Sequence, residues 1–200
     1  MWFAHLHSTK EVPYGLFTLH VQLDFTIGQD NIRLRSANLD DSNILNQWWN
    51  DGAVMDHAGF PNGLGQSLEE TKESILRFSS PSELMMIEID GVLVGGANYE
   101  IKGNIAYPGW KICDSSYQNK GYGTQVIKMI FHHLFSCENL KIEKIKWDTL
   151  LENDRAQHIY EEKLKARKIN VIENAFVDQL GRKRTAVEYE LCKEEFYSYY

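Results

Sequence analysis

Cysteine is scarce in this 200-residue sequence: Cys113, Cys137 and Cys192 are far apart and odd in number. That excludes a disulfide framework and fits reduced thiols in a cytosol. No C-x-x-C pair is available to hold zinc, and no metal is expected. Long apolar runs are missing too. The longest, Val126 to Phe135, is broken by Lys128 and His132-His133 and falls well short of the roughly 20 residues a membrane span needs. Between Met1 and His20, Lys10, Glu11 and Pro13 interrupt the stretch where a secretory leader would be continuous. The formal net charge is −7, and no run of five like charges occurs. A phosphate-backbone binder is therefore not expected, and electrostatic attraction favours cationic partners. These absences lead to the expectation of a cytoplasmic protein with neither membrane nor nucleic acid as a partner.

Two nucleotide signatures are missing as well. A P-loop needs G-x-x-x-x-G-K-[ST], which does not occur. A dinucleotide fold needs G-x-G-x-x-G, but here Gly121 and Gly123 are followed by Thr124, Gln125 and Val126.

What is present is a globular composition, 43% hydrophobic and 24% charged, in a length that one domain fills. Ile32 to Ser36 alternates as a half-buried strand. Asp40-Asp41 opens a helix with Ile44, Leu45, Trp48 and Trp49 on one face, and Asn50-Asp51-Gly52 stops it. Ser67 and Glu70 form a capping box ahead of a second helix. Leu84–Ile89, Asp90-Gly91 and Val92–Ile101 read as a hairpin with a type I′ turn. Ile105–Ile112, an amphipathic helix through Val126, Ile130 and Leu134, and Ile142–Thr149 have the order of a right-handed βαβ crossover. Asn153 stands at an N-cap position, and two strands, near Asn170–Val177 and Arg184–Leu191, follow. Residues 1–30 form an extension in which Leu16–Phe25 has strand chemistry: either an added edge strand or an arm, with room for a homodimer. Residues 31–200 form the main domain. The last residues, Glu194–Tyr200, read as a sticky or packed tail.

The segment Gln118-Asn119-Lys120-Gly121-Tyr122-Gly123 lies between strand and helix, where free N–H groups and the helix dipole attract phosphate and glycine allows close approach. A G-x-G at such a turn is common, so its context decides. Q-x-x-G-x-G after a strand, with Gly109-Trp110-Lys111-Ile112 before it and Thr124 after it, resembles the signature of the Gcn5-related N-acetyltransferase superfamily. Trp48-Trp49-Asn50 and Phe60-Pro61-Asn62-Gly63 resemble its ribosomal-protein-acetyltransferase-like branch.

That resemblance implies a single α/β (α+β) domain. Its central mixed, twisted sheet of about six to seven strands would splay between the fourth and fifth, with about four flanking helices. It implies acetyl-CoA as the acyl donor. The backbone of Ile112, Cys113 and Asp114 would face pantetheine, and Gln118, Asn119, Lys120, Gly121, Tyr122, Gly123 and Thr124 would form the phosphate loop. A second landmark, N-x-x-[AS]-x-x-x-Y-E, is met by Asn153, Ala156, Tyr160 and Glu161. Asn153 would contact the cofactor and Tyr160 would protonate the departing thiolate; by spacing alone Tyr160 reads as a buried ring. Two features depart from the pattern. Glu161-Glu162-Lys163-Leu164-Lys165-Ala166 lacks the glycine that ends the helix, and Tyr107-Pro108 stands where relatives carry a glutamate. The general base therefore stays open among Glu100, Asp148, Asp56 and His57. The implied reaction is direct acetyl transfer to a primary amine, on a small molecule or a protein N-terminus. The departures leave a non-catalytic acyl-CoA sensor as the alternative.

Overall fold

The computed structural model describes residues 26–29, 31–78 and 80–200. Its eight strands form one sheet in the order β1-β2-β3-β4-β5-β6-β8-β7. They are β1 Thr26–Gln29, β2 Ile32–Ser36, β3 Glu83–Ile89, β4 Val92–Lys102, β5 Ile105–Ile112, β6 Lys144–Leu150, β7 Arg167–Val177 and β8 Lys183–Cys192. The helices are α1 Ser42–Trp49, α2 Gly52–Met55, α3 Leu68–Arg77, α4 Tyr122–Ser136, α5 Asp154–His158 and α6 Lys193–Tyr199. This is the expected α/β domain with a mixed sheet, carrying one more strand than expected. The extra one is β1, an edge strand paired antiparallel with β2; Leu16–Phe25 lies outside the described residues.

Local chemistry accounts for the elements. Ile32 and Leu34 are buried while Arg33 between them is exposed, as period-two alternation requires. Asp90 (φ 52°) and Gly91 (φ 77°) both take the left-handed conformation a type I′ hairpin demands. The Ser67–Glu70 box closes reciprocally at the start of α3.

The sheet has two differently covered faces. Against one lies α4, whose Val126, Ile127, Ile130, Phe131 and Leu134 join Ala97, Tyr99, Ile145, Trp147 and Tyr189 in the larger core. On the other, α1 to α3 cover a smaller cluster built on Leu45, Trp49, Met55, Leu84, Met86 and Cys113, in which no residue of β6, β7 or β8 takes part.

The feature that positions the site is a gap. β5 and β6 run parallel, as the crossover predicts, but pair only at Ile105–Lys144 and Ala106–Ile145. Its cause is legible in the backbone. The Cys113 N–H bonds the Val94 carbonyl at 2.7 Å, whereas the Asn104 carbonyl accepts from Glu143 and Lys144 at 3.0 and 3.3 Å. Odd residues of β5 therefore direct their backbone groups at β4 and even ones at β6, by the alternation of an antiparallel ladder. Pro108 is the next even residue after the last pair and has no N–H to continue the zip. Beyond it the backbone groups of Trp110 and Ile112 face an opening, while β6 pairs with β8 along its whole length.

The irregular segment after Tyr160 is absorbed by a change of helical pitch. α5 runs directly into a π-helical turn, Ile159–Lys163, which accommodates one extra residue without displacing the next core position. Leu164 is fully buried, and the N–H of Ala166 returns to the Tyr160 carbonyl at 2.9 Å. Lys165 takes the left-handed conformation (φ 54°) that a terminating glycine would supply. A side chain there costs about 1–2 kcal/mol, partly offset by the greater unfolded-state freedom of glycine. Lys165→Gly is therefore expected to stabilise the fold by about 0.5–1 kcal/mol, read from the urea midpoint at unchanged slope.

The C-terminal tail is a helix. Phe196, 2% exposed, packs its ring 5.5 Å from Phe135 and 6.4 Å from Phe131. Its cap is unconventional: Glu195 accepts the N–H of Cys192 at 2.9 Å, a start signal that cap preferences do not flag.

Candidate active site

The loop after β5 is folded by its own side chains. Asp114 accepts the N–H of Ser116 at 2.8 Å and starts a short helical turn over Ser115–Tyr117. Gln118 reaches back and donates Nε2 to the Ile112 carbonyl at 2.8 Å, tying the loop to the strand end. Asn119 (φ 62°) and Gly121 (φ 85°) then turn the chain left-handed into α4. Gly121 offers the helix no side-chain cap, and the first intrahelical bond is Gln125 N–H to Gly121 carbonyl at 3.3 Å. The N–H groups of Tyr122, Gly123 and Thr124 are left at the positive end of a 15-residue helix.

Whether these residues fit a pyrophosphate can be tested on the glycines. A Cβ built on Gly121 or on Gly123 meets nothing within 4 Å. Packing within the chain therefore does not demand glycine at either place. The space beside them suits a ligand that approaches the backbone. Lys120 lies at the rim, its Nζ 5.6 Å from the centre of the Tyr117 ring, and adds a cation to the same end.

At the end of β5 only part of the implied pantetheine wall faces the gap. Cys113 and Asp114 both spend their N–H groups on the Val94 carbonyl, at 2.7 and 3.0 Å. Cys113 is buried in the smaller core, where removal from water pushes its thiol up to about 12. A covalent acyl relay through that thiol has no support, since the thiolate is the nucleophile. Trp110 and Ile112 are the residues whose backbone lines the opening, and Trp110 stood outside the implied set. The pairing register supplies the missing signal: every second residue of a splayed strand loses its neighbour.

Across the gap, Asn153 caps α5, accepting the N–H of Ala156 at 3.1 Å and donating Nδ2 to Thr149 Oγ1 at 3.2 Å. The π-helical turn delivers Tyr160 onto the gap itself. Its ring, 7% exposed, meets Trp110 of β5 edge-on at 5.9 Å and Trp147 of β6 at 5.5 Å, so it touches both walls. Tyr189 closes the cluster at 5.2 Å. Burial, with a smaller push from the negative charge of Asp148, raises the phenol above the ordinary tyrosine range; hydrogen bonding from Trp110 opposes this weakly. Tyr160 is thus both the buried ring that spacing suggests and a protonated hydroxyl at the gap.

Glu100 and Asp148 are half-buried on β4 and β6. Asp56 and His57 sit in the turn after α2, where Asp56 pairs with Arg182 at 3.3 Å. Beneath them the fully buried Asp178 carboxylate accepts from Arg182 Nε at 2.6 Å and Arg184 Nη1 at 2.9 Å, and Arg184 also reaches Glu152 at 2.7 Å. That network fastens the β7–β8 loop to the α2 region, and Gln179 adds bonds to Gly59 and Gly63. Asp56 is thereby tied into a structural network. Among the described residues no group of three or more His, Cys, Asp or Glu side chains could hold a metal ion, and no helix is long and apolar enough to cross a membrane.

No curated protein sequence matches the chain. Among solved structures, a spermidine N-acetyltransferase from Vibrio cholerae, in complex with CoA and spermine, superposes with a TM-score of 0.74 at 18% identity, covering 84% of this chain and 98% of that one. The RimL ribosomal L7/L12 alpha-N-protein acetyltransferase, with coenzyme A, gives 0.72 at 16%, covering 84% and 98%. A GNAT-family acetyltransferase from Bacillus anthracis gives 0.72 at 18%, covering 86% and 100%. These likenesses are of the fold and of similar strength, so they single out no branch. The sequence itself goes further: residues 45–165, more than half of the chain, match the model of one family, and that span, which opens within α1 and ends just past the π-helical turn, holds the gap, the loop and Tyr160. The chain belongs to the acetyltransferase (GNAT) family.

Proposed function

We propose that the protein transfers an acetyl group from acetyl-CoA directly to a primary amine. The observation that carries this reading is the alignment of three features along one opening: the uncapped start of α4 with free space at Gly121 and Gly123, the unpaired backbone of Trp110 and Ile112, and the Tyr160 hydroxyl. Structural neighbours named for amine and protein N-terminal acetylation support it.

In this reading the N–H groups of Tyr122, Gly123 and Thr124, with Lys120, hold the pyrophosphate. Gln118 keeps the Ile112 carbonyl engaged and so fixes the strand end, while pantetheine lies along Trp110 and Ile112. Asn119 shapes the turn, and Asp114 stiffens the loop. Asn153, at the end of the facing strand, orients the far wall. Bound acetyl-CoA supplies an activated thioester acyl group. The Ile112 N–H is positioned to donate to the acyl carbonyl oxygen. Tyr160 holds its proton at neutral pH and delivers it to the departing sulfur. The amine nitrogen forms the new bond to the acyl carbon as the carbon–sulfur bond breaks, and Asp148 or Glu100, the half-buried carboxylates of β6 and β4, takes the proton that the amine loses, directly or through water.

Thiol release with acetyl-CoA and a panel of amines tests the reading. Turnover on at least one primary amine, with a mass gain of one acetyl group on that amine, is the expected result. Tight CoA binding without turnover on any amine would instead identify an acyl-CoA sensor.

A further inference from the structure

The gap has one filled side and one open side. Toward α4 it is closed by Phe131, Trp147 and Tyr160, all members of the larger core. On the other side the smaller cluster reaches only as far as Cys113, at the end of β5, and takes in no residue of β6, β7 or β8, so an amine comes to the opening from there. Strand register names the side chain that stands at this margin. Lys111 of β5 pairs with Gly96 of β4, which in turn pairs with Met86 of β3, and directly paired residues share a face. Met86 belongs to the smaller cluster, whereas Trp110, one residue before Lys111, meets Tyr160 on the opposite face. Lys111 therefore leaves the strand between Trp110 and Ile112, whose backbone lines the gap, on the side from which the amine must come.

Three features of this side chain suit it to accept an acyl group itself. Its neighbours on the same face are Gly96 across the ladder and Gly109 two residues back along β5, so its flexible four-carbon stem has room to swing. No hydrogen bond or ion pair holds its Nζ among the described residues, although Asp56 and Asp51 act on it through space. By contrast Lys144 and Lys146 of β6, also half-buried, both pair with Glu190, at 3.1 and 3.8 Å. Finally, removal from water holds the Lys111 ammonium below the ordinary lysine range, and the nearby Cys113, Asp56 and Asp51 oppose this only in part. More of the amine is then uncharged, which is the nucleophilic form.

We infer that Lys111 is an internal acetyl acceptor, a modification site whose Nζ takes the acetyl group from acetyl-CoA bound to the same chain when no other amine fills the open side. The inference rests on the acetyl-transfer reading, which puts the thioester at the N–H of Ile112, the next residue. The uncharged Nζ forms a bond to the acyl carbon, the carbon–sulfur bond breaks, and the sulfur leaves as the thiol of CoA with the Tyr160 proton. The proton that Nζ loses passes to water, and water returns one to the Tyr160 oxygen. The products are acetylated Lys111 and CoA, and no further reactant is consumed.

The test incubates the full chain with acetyl-CoA and no amine, and follows acetylation lysine by lysine through mass spectrometry of proteolytic peptides. Lys111 is expected to gain one acetyl group at least about tenfold faster than the exposed Lys183, the advantage of a held over a diffusing reactant, at a rate per chain that does not change with chain concentration. Lys111→Arg should remove the fast site with CoA affinity retained, and Tyr160→Phe should slow acetylation at Lys111 but not at Lys183. Acetylation of Lys111 no faster than that of Lys183, or equally fast in Tyr160→Phe, would overturn the inference. If a panel of amines is acetylated while Lys111 is not, the internal acceptor falls and the transferase reading stands. Fast acetylation of Lys111 without turnover on any amine would uphold the internal acceptor and sink the reading of a separate amine as substrate.

Discussion

Gly123→Val is expected to leave the folded chain as stable as the parent and to lower CoA affinity by about a hundredfold or more. The two halves of this expectation have separate physical grounds. Gly123 has an ordinary helical φ and its added Cβ meets nothing within 4 Å, so the free protein accepts a side chain without a clash. Valine is also a slightly better helix former than glycine, by a few tenths of a kcal/mol. Against a pyrophosphate the same side chain fills the space through which phosphate oxygens would approach the N–H groups of Tyr122, Gly123 and Thr124. Thermal unfolding of the free chain and calorimetric titration with CoA read the two effects independently. A variant that binds CoA as tightly as the parent would remove the α4 start from the cofactor site. Gly121 is less suited to the test, because its φ of 85° makes any substitution strained in the free protein.

Tyr160→Phe is expected to lower kcat by about a hundredfold with CoA affinity nearly unchanged. The size follows from the environment. A positioned general acid contributes about 10²–10⁴-fold, and most when its pKa is close to the working pH. Burial moves Tyr160 above the ordinary tyrosine range, which guarantees the proton at neutral pH but reduces its tendency to leave, so the low end applies. Phenylalanine keeps the edge-on packing against Trp110, Trp147 and Tyr189, so loss of activity is not loss of fold. Steady-state kinetics at saturating acetyl-CoA, beside a CoA titration, measure both quantities. Turnover equal to the parent would leave Tyr160 as a packing residue only.

Most of the backbone plan was written in local chemistry. Alternation at Ile32–Ser36, the Asp90-Gly91 turn, the Ser67–Glu70 box and the Asn153 cap each depend on a few neighbouring residues, and each appears as read. So does the strand–loop–helix context of Gln118 to Gly123. The C-terminal helix was not legible, since its cap is a cysteine backbone bound by Glu195 and its formation depends on Phe196 meeting Phe131 and Phe135 from a distant segment. Nor was the π-helical turn: sequence showed only that the glycine ending the helix is missing after Tyr160, and packing of Leu164 in the core decided that the helix would widen.

The site divides along the same line. Sequence by itself determined that Gly121 and Gly123 start a helix after a strand, because glycine conformation is a property of single residues. Tertiary structure decided that pairing between β5 and β6 stops at Pro108, which backbone groups face the gap, and that Cys113 turns away into a core. Those outcomes depend on register between strands far apart in the chain, where a shift of one residue exchanges the two faces.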